Sequence, residues 1–102
     1  MTNPKNINQI INFQEDSVVS KEIVNKPTGT ITLFAFDKGQ GLSEHIVPYD
    51  AFVMVTEGVA EITVSGTKHK IKSGEILLMP GKAPHKLKAT QAFKMILIMI
   101  KS

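Results

Sequence analysis

Two histidines, His45 and His85, are the side chains in this sequence with the clearest capacity for chemistry. A neutral imidazole binds divalent transition metals and also exchanges hydrogen bonds with ligands near neutral pH. The chain has no cysteine, which excludes thiolate metal sites, thiol nucleophiles and disulfides. Ser43, Ser65 and Ser73 have no plausible base beside them, and the sequence contains no Gly-x-Ser-x-Gly. The chemistry of the chain therefore depends on the two imidazoles and on the side chains that the fold brings beside them.

Strand-forming patterns occupy most of the chain, and helix-forming patterns are nearly absent. Runs that are β-branched, aromatic, alternating or continuously apolar favour β-strands. These runs cover residues 30–36, 52–56, 60–64, 76–79 and 93–100. Glycine and proline stand between them at short intervals, and both residues supply backbone angles that turns require. Short strands at this regular spacing predict an all-β sandwich or barrel.

The length of the chain allows one domain, residues 1–102, with a thin hydrophobic core. We expect residues 26–102 to form the barrel and residues 1–25 to add N-terminal strands that pack on it or on a partner subunit. Three isoleucines between residues 7 and 11 could also line a single helical turn. The β-branched pairs that follow favour strands, and strands are therefore the prediction for residues 7–25.

Two spaced motifs connect the histidines to this predicted barrel. Gly39 is followed by five residues and then by His45. Gly74 is followed by five residues, by Pro80 and, further on, by His85. This arrangement resembles the two signature motifs of the cupin superfamily, G-x5-H-x-H-x3,4-E-x6-G and G-x5-P-x-G-x2-H-x3-N. The resemblance implies a small single-domain cupin, whose fold is a jelly-roll-like β-barrel or double-stranded β-helix.

The cupin resemblance also implies a metal site inside the mouth of the barrel. In that family two histidines and a glutamate of the first motif, with the histidine of the second, bind one divalent metal. Carried onto this sequence, the motif implies His45 and His85 as ligands of Fe, Mn, Ni or Zn. The two other ligand positions fall on Val47 and Ala51, which we expect to line a more apolar cavity. Two protein ligands are fewer than the three typical of catalytic zinc.

Glu44 and Asp50 are the carboxylates nearest to these ligand positions. Each adjoins an inward-facing position, so in a regular strand each points to the opposite face. A bulge at Pro48-Tyr49 could turn Asp50 inward. Three interpretations of the histidine pair stay open: metal ligands, contacts to an organic ligand without metal, or a structural pair. His69 lies in a lysine-rich strand and is expected to be a packed or half-exposed core histidine.

Two functions of different classes follow from these residues. The first is the binding of a small molecule, either without metal or with one weakly held divalent metal on His45 and His85. The alternative is a metal-dependent enzyme of dioxygenase, isomerase or lyase type, in which water, substrate or Asp50 completes the ligand set. The sequence does not decide whether the chain is an enzyme, and no residue is assigned as catalytic.

Charge and hydropathy exclude two classes of partner. The net charge is +3, but Lys68, Lys70 and Lys72 alternate along one strand without aromatic neighbours. This pattern favours a solvated strand face and excludes nucleic acid as the main partner. The chain starts with no apolar segment of signal-peptide length, and its longest apolar run, residues 95–100, is shorter than the ~20 residues that span a bilayer. We therefore expect a cytoplasmic protein with no membrane partner.

The same apolar run indicates self-association. Met95, Leu97 and Met99 alternate with Ile96, Ile98 and Ile100, so both faces of the strand are apolar. One face can fill the barrel, whereas the other needs a second sheet or a partner subunit, because large apolar patches are rarely left in water. We therefore predict a homodimer formed through sheet faces, and the barrel could also serve mainly as an assembly unit.

Overall fold

The computed structural model describes residues 3–101, and it is built almost entirely from antiparallel β-strands. One short helix, α1, spans Ile7–Ile10. The strands that follow are β1 Val18–Lys26, β2 Gly29–Phe36, β3 Gly41–His45, β4 Asp50–Glu57, β5 Val59–Val64, β6 Thr67–Lys72, β7 Ile76–Met79, β8 His85–Lys88 and β9 Phe93–Ile100. In residues 3–101 no helix has both the length and the hydropathy needed to cross a bilayer.

The strands form two sheets that enclose one hydrophobic core. The five-stranded sheet has the order β1-β2-β9-β4-β7, and the four-stranded sheet has the order β3-β8-β5-β6. Both sheets contribute side chains to the core, in which the rings of Phe36 and Phe93 stack with centroids 4.5 Å apart. Alternation along each strand turns every second residue toward this core. The predicted all-β, jelly-roll-like barrel is therefore confirmed.

The first part of residues 7–25 departs from the predicted strands. Ile7–Ile10 form one helical turn, and the side chain of Asn6 caps it by accepting a hydrogen bond from the Asn8 N–H at 2.9 Å. The prediction of strands is wrong here because helical spacing puts the isoleucines on one side, where they pack against the outer face of the five-stranded sheet. The later strand of this segment is present as β1.

A buried lysine fastens this N-terminal segment to the sheet. Lys94 is 6% exposed although it belongs to β9. Its Nζ donates to the carbonyl oxygen of Asn8 at 2.7 Å and lies 3.5 Å from a carboxylate oxygen of Glu57. The same ammonium lies 4.9 Å from the centre of the Phe13 ring. These contacts satisfy the buried charge and hold residues 8–13 over one half of the outer face.

The other half of that outer face is apolar and exposed. Ile76, Leu78 and Ile100 have exposed fractions of 60%, 62% and 54%. The strand register places Phe52 between Leu78 and Ile98. We call this surface the apolar face, and its members are Phe52, Met54, Ile76, Leu78, Ile98 and Ile100. On the opposite side of β9, Met95, Leu97 and Met99 pack in the core, as the two-faced pattern of this strand predicted.

Candidate ligand-binding site

Two neighbouring strands of the four-stranded sheet place His45 beside His85. Strands β3 and β8 pair antiparallel, with Leu42 opposite Leu87 and His45 opposite His85. The two imidazole rings meet edge to face, with centroids 4.2 Å apart and an angle of 70° between the ring planes. The structure thus brings together the two histidines that the motifs singled out.

A β-bulge decides which residue of β3 lies opposite His85. Counted from the Leu42–Leu87 pair, a regular antiparallel register would place Glu44 opposite His85. The register shifts by one residue between Leu42 and His45, so that His45 takes this position. Glu44 is exposed. Without the bulge, the carboxylate of Glu44 would lie opposite the imidazole of His85. The sequence of β3 contains no signal that predicts the position of this bulge.

The backbone holds both imidazoles in the same way. The Nδ1 atom of His45 lies 2.8 Å from the carbonyl oxygen of Ser43, and the Nδ1 atom of His85 lies 3.2 Å from that of Ala83. Because a carbonyl oxygen only accepts, the Nδ1 of each ring is the donor in this contact, and a neutral ring held in this way has its lone pair on Nε2. The pair therefore presents two Nε2 atoms that can accept a hydrogen bond or bind a metal.

The two rings differ in their exposure to water. His85 is 4% exposed, whereas the side chain of His45 is exposed to solvent. Burial lowers the pKa of His85 below its ordinary value of 6.5; the hydrogen bond with the Ala83 carbonyl opposes this shift, and the charge of His45 adds to it. His85 is therefore a neutral acceptor at pH 7, set behind the more accessible His45.

The two substituted ligand positions lie in different environments. Val47 is half-buried, and its carbonyl oxygen accepts a hydrogen bond from the N–H of Lys82 at 2.8 Å. Ala51 is 2% exposed on β4 and lies opposite Met79 and Met99 on the neighbouring strands. Neither side chain has an atom that could coordinate a metal. Their pocket-lining role stays a prediction.

Asp50 has a structural role away from the histidine pair. Its Oδ1 atom accepts a hydrogen bond from the N–H of Gly81 at 2.8 Å. In the sheet, Asp50 pairs with Ile100 in regular register. Across residues 3–101, no three side chains of the His, Asp and Glu types come together in a way that could hold a metal ion. Two Nε2 atoms therefore do not fit the complete metal centre that the cupin motifs imply.

His69 lies apart from this pair in the register of the sheet. It stands on β6 opposite Ile62, a fully buried core residue, and it is itself half-buried. This placement agrees with the packed or half-exposed histidine expected from the sequence.

Comparison with known proteins agrees with the fold and the motif spacing. The family model described as "Cupin domain" matches residues 32–101. This match covers more than half of the chain, and the chain belongs to the cupin family.

Three individual proteins are similar to this chain, and their names do not include a ligand. The conserved protein SPY1581 of unknown function from Streptococcus pyogenes has 32% identity and a TM-score of 0.96 over 100% of this chain and 90% of its own. A cupin 2 conserved barrel domain protein from Leptotrichia buccalis has 37% identity and a TM-score of 0.89 over 91% of this chain and 45% of its own. Protein SchB from Streptomyces halstedii is 36% identical over 53 residues, which cover 51% of this chain and only 38% of SchB.

A dioxygenase shares the fold at lower identity. Salicylate 1,2-dioxygenase from Pseudaminobacter salicylatoxidans has 17% identity and a TM-score of 0.77 over 83% of this chain and 26% of its own. At this identity the likeness extends to the fold alone.

Proposed function

We propose that this cupin binds a small organic ligand at the mouth of the barrel through His45 and His85, either without metal or with one weakly held divalent ion. The observation that carries the proposal is the contact between two imidazoles whose Nδ1 atoms are both engaged by backbone carbonyls. The two Nε2 lone pairs suit a ligand with hydroxyl, amine or protonated carboxyl donors. The exposed ring of His45 meets such a ligand first, and the buried ring of His85 fixes its orientation.

The donor set favours binding over metal catalysis. A divalent ion at this pair would have two imidazole ligands and no carboxylate to offset its charge. Of the two substituted positions, the half-buried Val47 offers apolar surface to a ligand, whereas Ala51 is 2% exposed and belongs to the core. Ligand sites are mostly apolar, with a few convergent polar groups, and this combination fits the pair of imidazoles.

One observation favours the enzymatic alternative as a second proposal. Histidines that bind metals usually donate their other ring N–H to a carbonyl or carboxylate, as His45 and His85 do here. In a dioxygenase, isomerase or lyase of this type, the two Nε2 atoms would hold Fe, Mn, Ni or Zn, with water or substrate in the other positions. Such an ion would supply Lewis-acid or redox chemistry.

A thermal-shift screen tests whether a small molecule binds and whether its binding depends on His45 and His85. Chelator-treated protein would be screened against a panel of hydroxylated and carboxylated metabolites, and His45→Gln and His85→Gln would be screened in parallel. At 100 times its Kd a ligand stabilises the native state by about 2.7 kcal/mol, and each kcal/mol raises the Tm of a domain this small by roughly 4–8 °C. We expect one metabolite class to raise the Tm of the wild type and of neither variant.

The matched control for this screen is His69→Gln, because His69 is a half-buried histidine of the same sheet. This variant should keep the wild-type response. A metabolite shift that survives in both His45→Gln and His85→Gln would place the ligand elsewhere and contradict the proposal.

Metal analysis of protein purified without chelator tests the second proposal. The binding function predicts less than one equivalent of Fe, Mn, Ni or Zn, and complete loss on brief dialysis against chelator. A stoichiometric metal that resists dialysis and disappears in both His45→Gln and His85→Gln would favour the enzyme.

We propose a second copy of this chain as the partner of the apolar face. The N-terminal segment already covers the neighbouring half of the same sheet, and Ile96 joins the covered and exposed halves along β9. The exposed half has no lysine among its members and presents isoleucine and leucine side chains that are more than half exposed. The six members carry no charge, and the acidic Asp50 lies at the edge of the face, opposite Ile100. An apolar patch of this kind can meet a second copy of itself under two-fold symmetry.

A further inference from the structure

Positive charge is concentrated on the outer face of the four-stranded sheet. Lysines alternate with inward-facing residues along β6 and β8, so they point away from the core. We call this surface the lysine face, and its exposed lysines are Lys68, Lys70, Lys72, Lys86 and Lys88. They lie back to back with the histidine site, because His85 and Lys86 are neighbours on opposite faces of β8.

The charge on this surface is not balanced locally. Strands β5, β6 and β8 contain five lysines and a single acidic residue, Glu61. The remainder of the chain has seven lysines and eight acidic residues. These three strands therefore account for the whole of the net positive charge, and the rest of the molecule is close to neutral.

The strand register arranges these lysines in two rows. Thr63 lies between Lys68 and Lys86, and Glu61 lies between Lys70 and Lys88. Neighbouring strands are about 4.8 Å apart, so each row has one lysine on each side of a central residue. The carboxylate of Glu61 pairs with Lys68 at 3.2 Å, and it is the one ion pair of these lysines within the described part of the chain.

A groove runs over the same rows. It has a volume of about 600 Å³ and is lined by Lys68, Lys86, Lys88 and the hydroxyl-bearing Ser43 and Thr63. This volume lies within the range typical of small-molecule sites. Ammonium and hydroxyl groups are donors that phosphate oxygens accept from. The groove lining includes no aromatic side chain on which a base could stack.

We propose that this groove binds a small, multiply charged anion with two or more phosphate groups. Three lysines face one carboxylate in the groove, so a single negative charge would leave the cluster only partly neutralised. The two lysines of a row stand on β6 and β8, two strand spacings apart across β5, and an anion with more than one phosphate group is long enough to contact both. The proposal is separate from the histidine site, which lies on the inner side of the same strand.

Isothermal titration with inorganic triphosphate at constant ionic strength tests the proposal. We expect one saturable site in the wild type and binding weaker by at least about tenfold, or 1.4 kcal/mol, in Lys86→Gln/Lys88→Gln. The matched control is Lys21→Gln/Lys26→Gln, which removes two exposed lysines of β1 and should leave the affinity unchanged. Glu61→Gln removes the one carboxylate of the groove, and it should bind triphosphate more tightly than the wild type.

Each alternative result would overturn the proposal. An equal loss in the two double variants would indicate an effect of net charge alone, and the absence of a saturable site would exclude a built site. Tighter binding of a short single-stranded oligonucleotide than of triphosphate, at the same salt concentration, would assign the face to nucleic acid instead. Circular dichroism of each variant confirms that the comparison is between folded proteins.

Discussion

The ring of His85 is buried. Its Nδ1 atom contacts a backbone carbonyl oxygen, and its Nε2 atom is left as a hydrogen-bond acceptor for a ligand. Burial lowers the pKa of this ring, and Nδ1 is engaged with the carbonyl oxygen of Ala83. The ring therefore stays neutral near pH 7 and offers a lone pair rather than a charge. A ligand that donates a hydrogen bond is therefore favoured over one that can only accept.

The lowered pKa of His85 predicts how stability depends on pH. The folded state resists the proton that the unfolded state takes up below its ordinary pKa of 6.5. The free energy of unfolding should therefore fall as the pH drops below about 6.5, and this loss should end below the lowered pKa of the folded state. Urea unfolding of chelator-treated protein at pH 7.5 and pH 5.5 measures the difference.

The comparison variant for this prediction is His85→Gln, which keeps a polar side chain but does not titrate. It should lose less stability than the wild type over the same interval. An equal loss in both proteins would show that other groups cause the pH dependence.

The proximity of the two histidines could be predicted from the sequence, but their local geometry could not. The spacing from Gly39 to His45 and from Gly74 to His85 indicated the two imidazoles, which the structure pairs on β3 and β8. The bulge in β3 was not predictable, because it depends on how Leu42 and Leu87 pair across strands distant in sequence. The hydrogen bonds of the two Nδ1 atoms follow from the backbone path on either side of each histidine.

At the scale of elements, two turns contain glycines with positive φ that differ in how closely the neighbouring backbone approaches them. Gly58 has a φ of +76°, and an added Cβ would collide with the carbonyl oxygen of Ala92. Gly66 has a φ of +83°, but the space around its added Cβ is open. The first glycine is required by both conformation and packing, and the second by conformation alone.

Alanine substitution at these two glycines should separate the two requirements. Gly66→Ala should lower the free energy of unfolding by about 1–2 kcal/mol, because alanine must adopt the left-handed conformation. Gly58→Ala adds the displacement of neighbouring backbone, so we expect a total loss of about 2–5 kcal/mol. The free energy of unfolding from urea titration checks both values, and equal losses in the two variants would contradict the close approach of Ala92.

The strands were predictable at the level of elements, because their alternation and turn residues are local signals. The helical turn at Ile7–Ile10 was missed, although the spacing of its isoleucines had shown it as an alternative. Its formation depends on a non-local surface, the outer face of β2 and β9, where Leu33 and Ile96 receive these side chains. The buried Lys94 that fastens the segment was missed for the same reason, since its partner Asn8 is far away in sequence.

At the scale of the whole molecule, the two sheets present opposite surfaces. The outer side of one is half covered and half apolar, whereas the outer side of the other is strongly basic. Two copies that meet through their apolar faces would leave both lysine faces exposed, because these lie on the outer side of the other sheet. Dimerisation and anion binding can therefore be tested separately.

Sedimentation velocity at micromolar concentration tests the predicted dimer. We expect the wild type to sediment with twice the chain mass of 11.2 kDa. Leu78→Glu should weaken dimerisation by at least about tenfold, because it buries a charge in an apolar contact. The matched control is Ile46→Glu, since Ile46 is 63% exposed but lies outside the apolar face. A monomeric wild type, or equal dissociation of both variants, would contradict the proposed interface.

The most direct test of the histidine site is long-range ¹H–¹⁵N spectroscopy of the imidazole nitrogens, before and after addition of the panel metabolite with the largest thermal shift. We expect His45 and His85 both to carry their proton on Nδ1, and their Nε2 signals to move together on binding while those of His69 stay in place. A proton on Nε2 of either ring, or a binding response that leaves both rings unchanged, would contradict the proposed site.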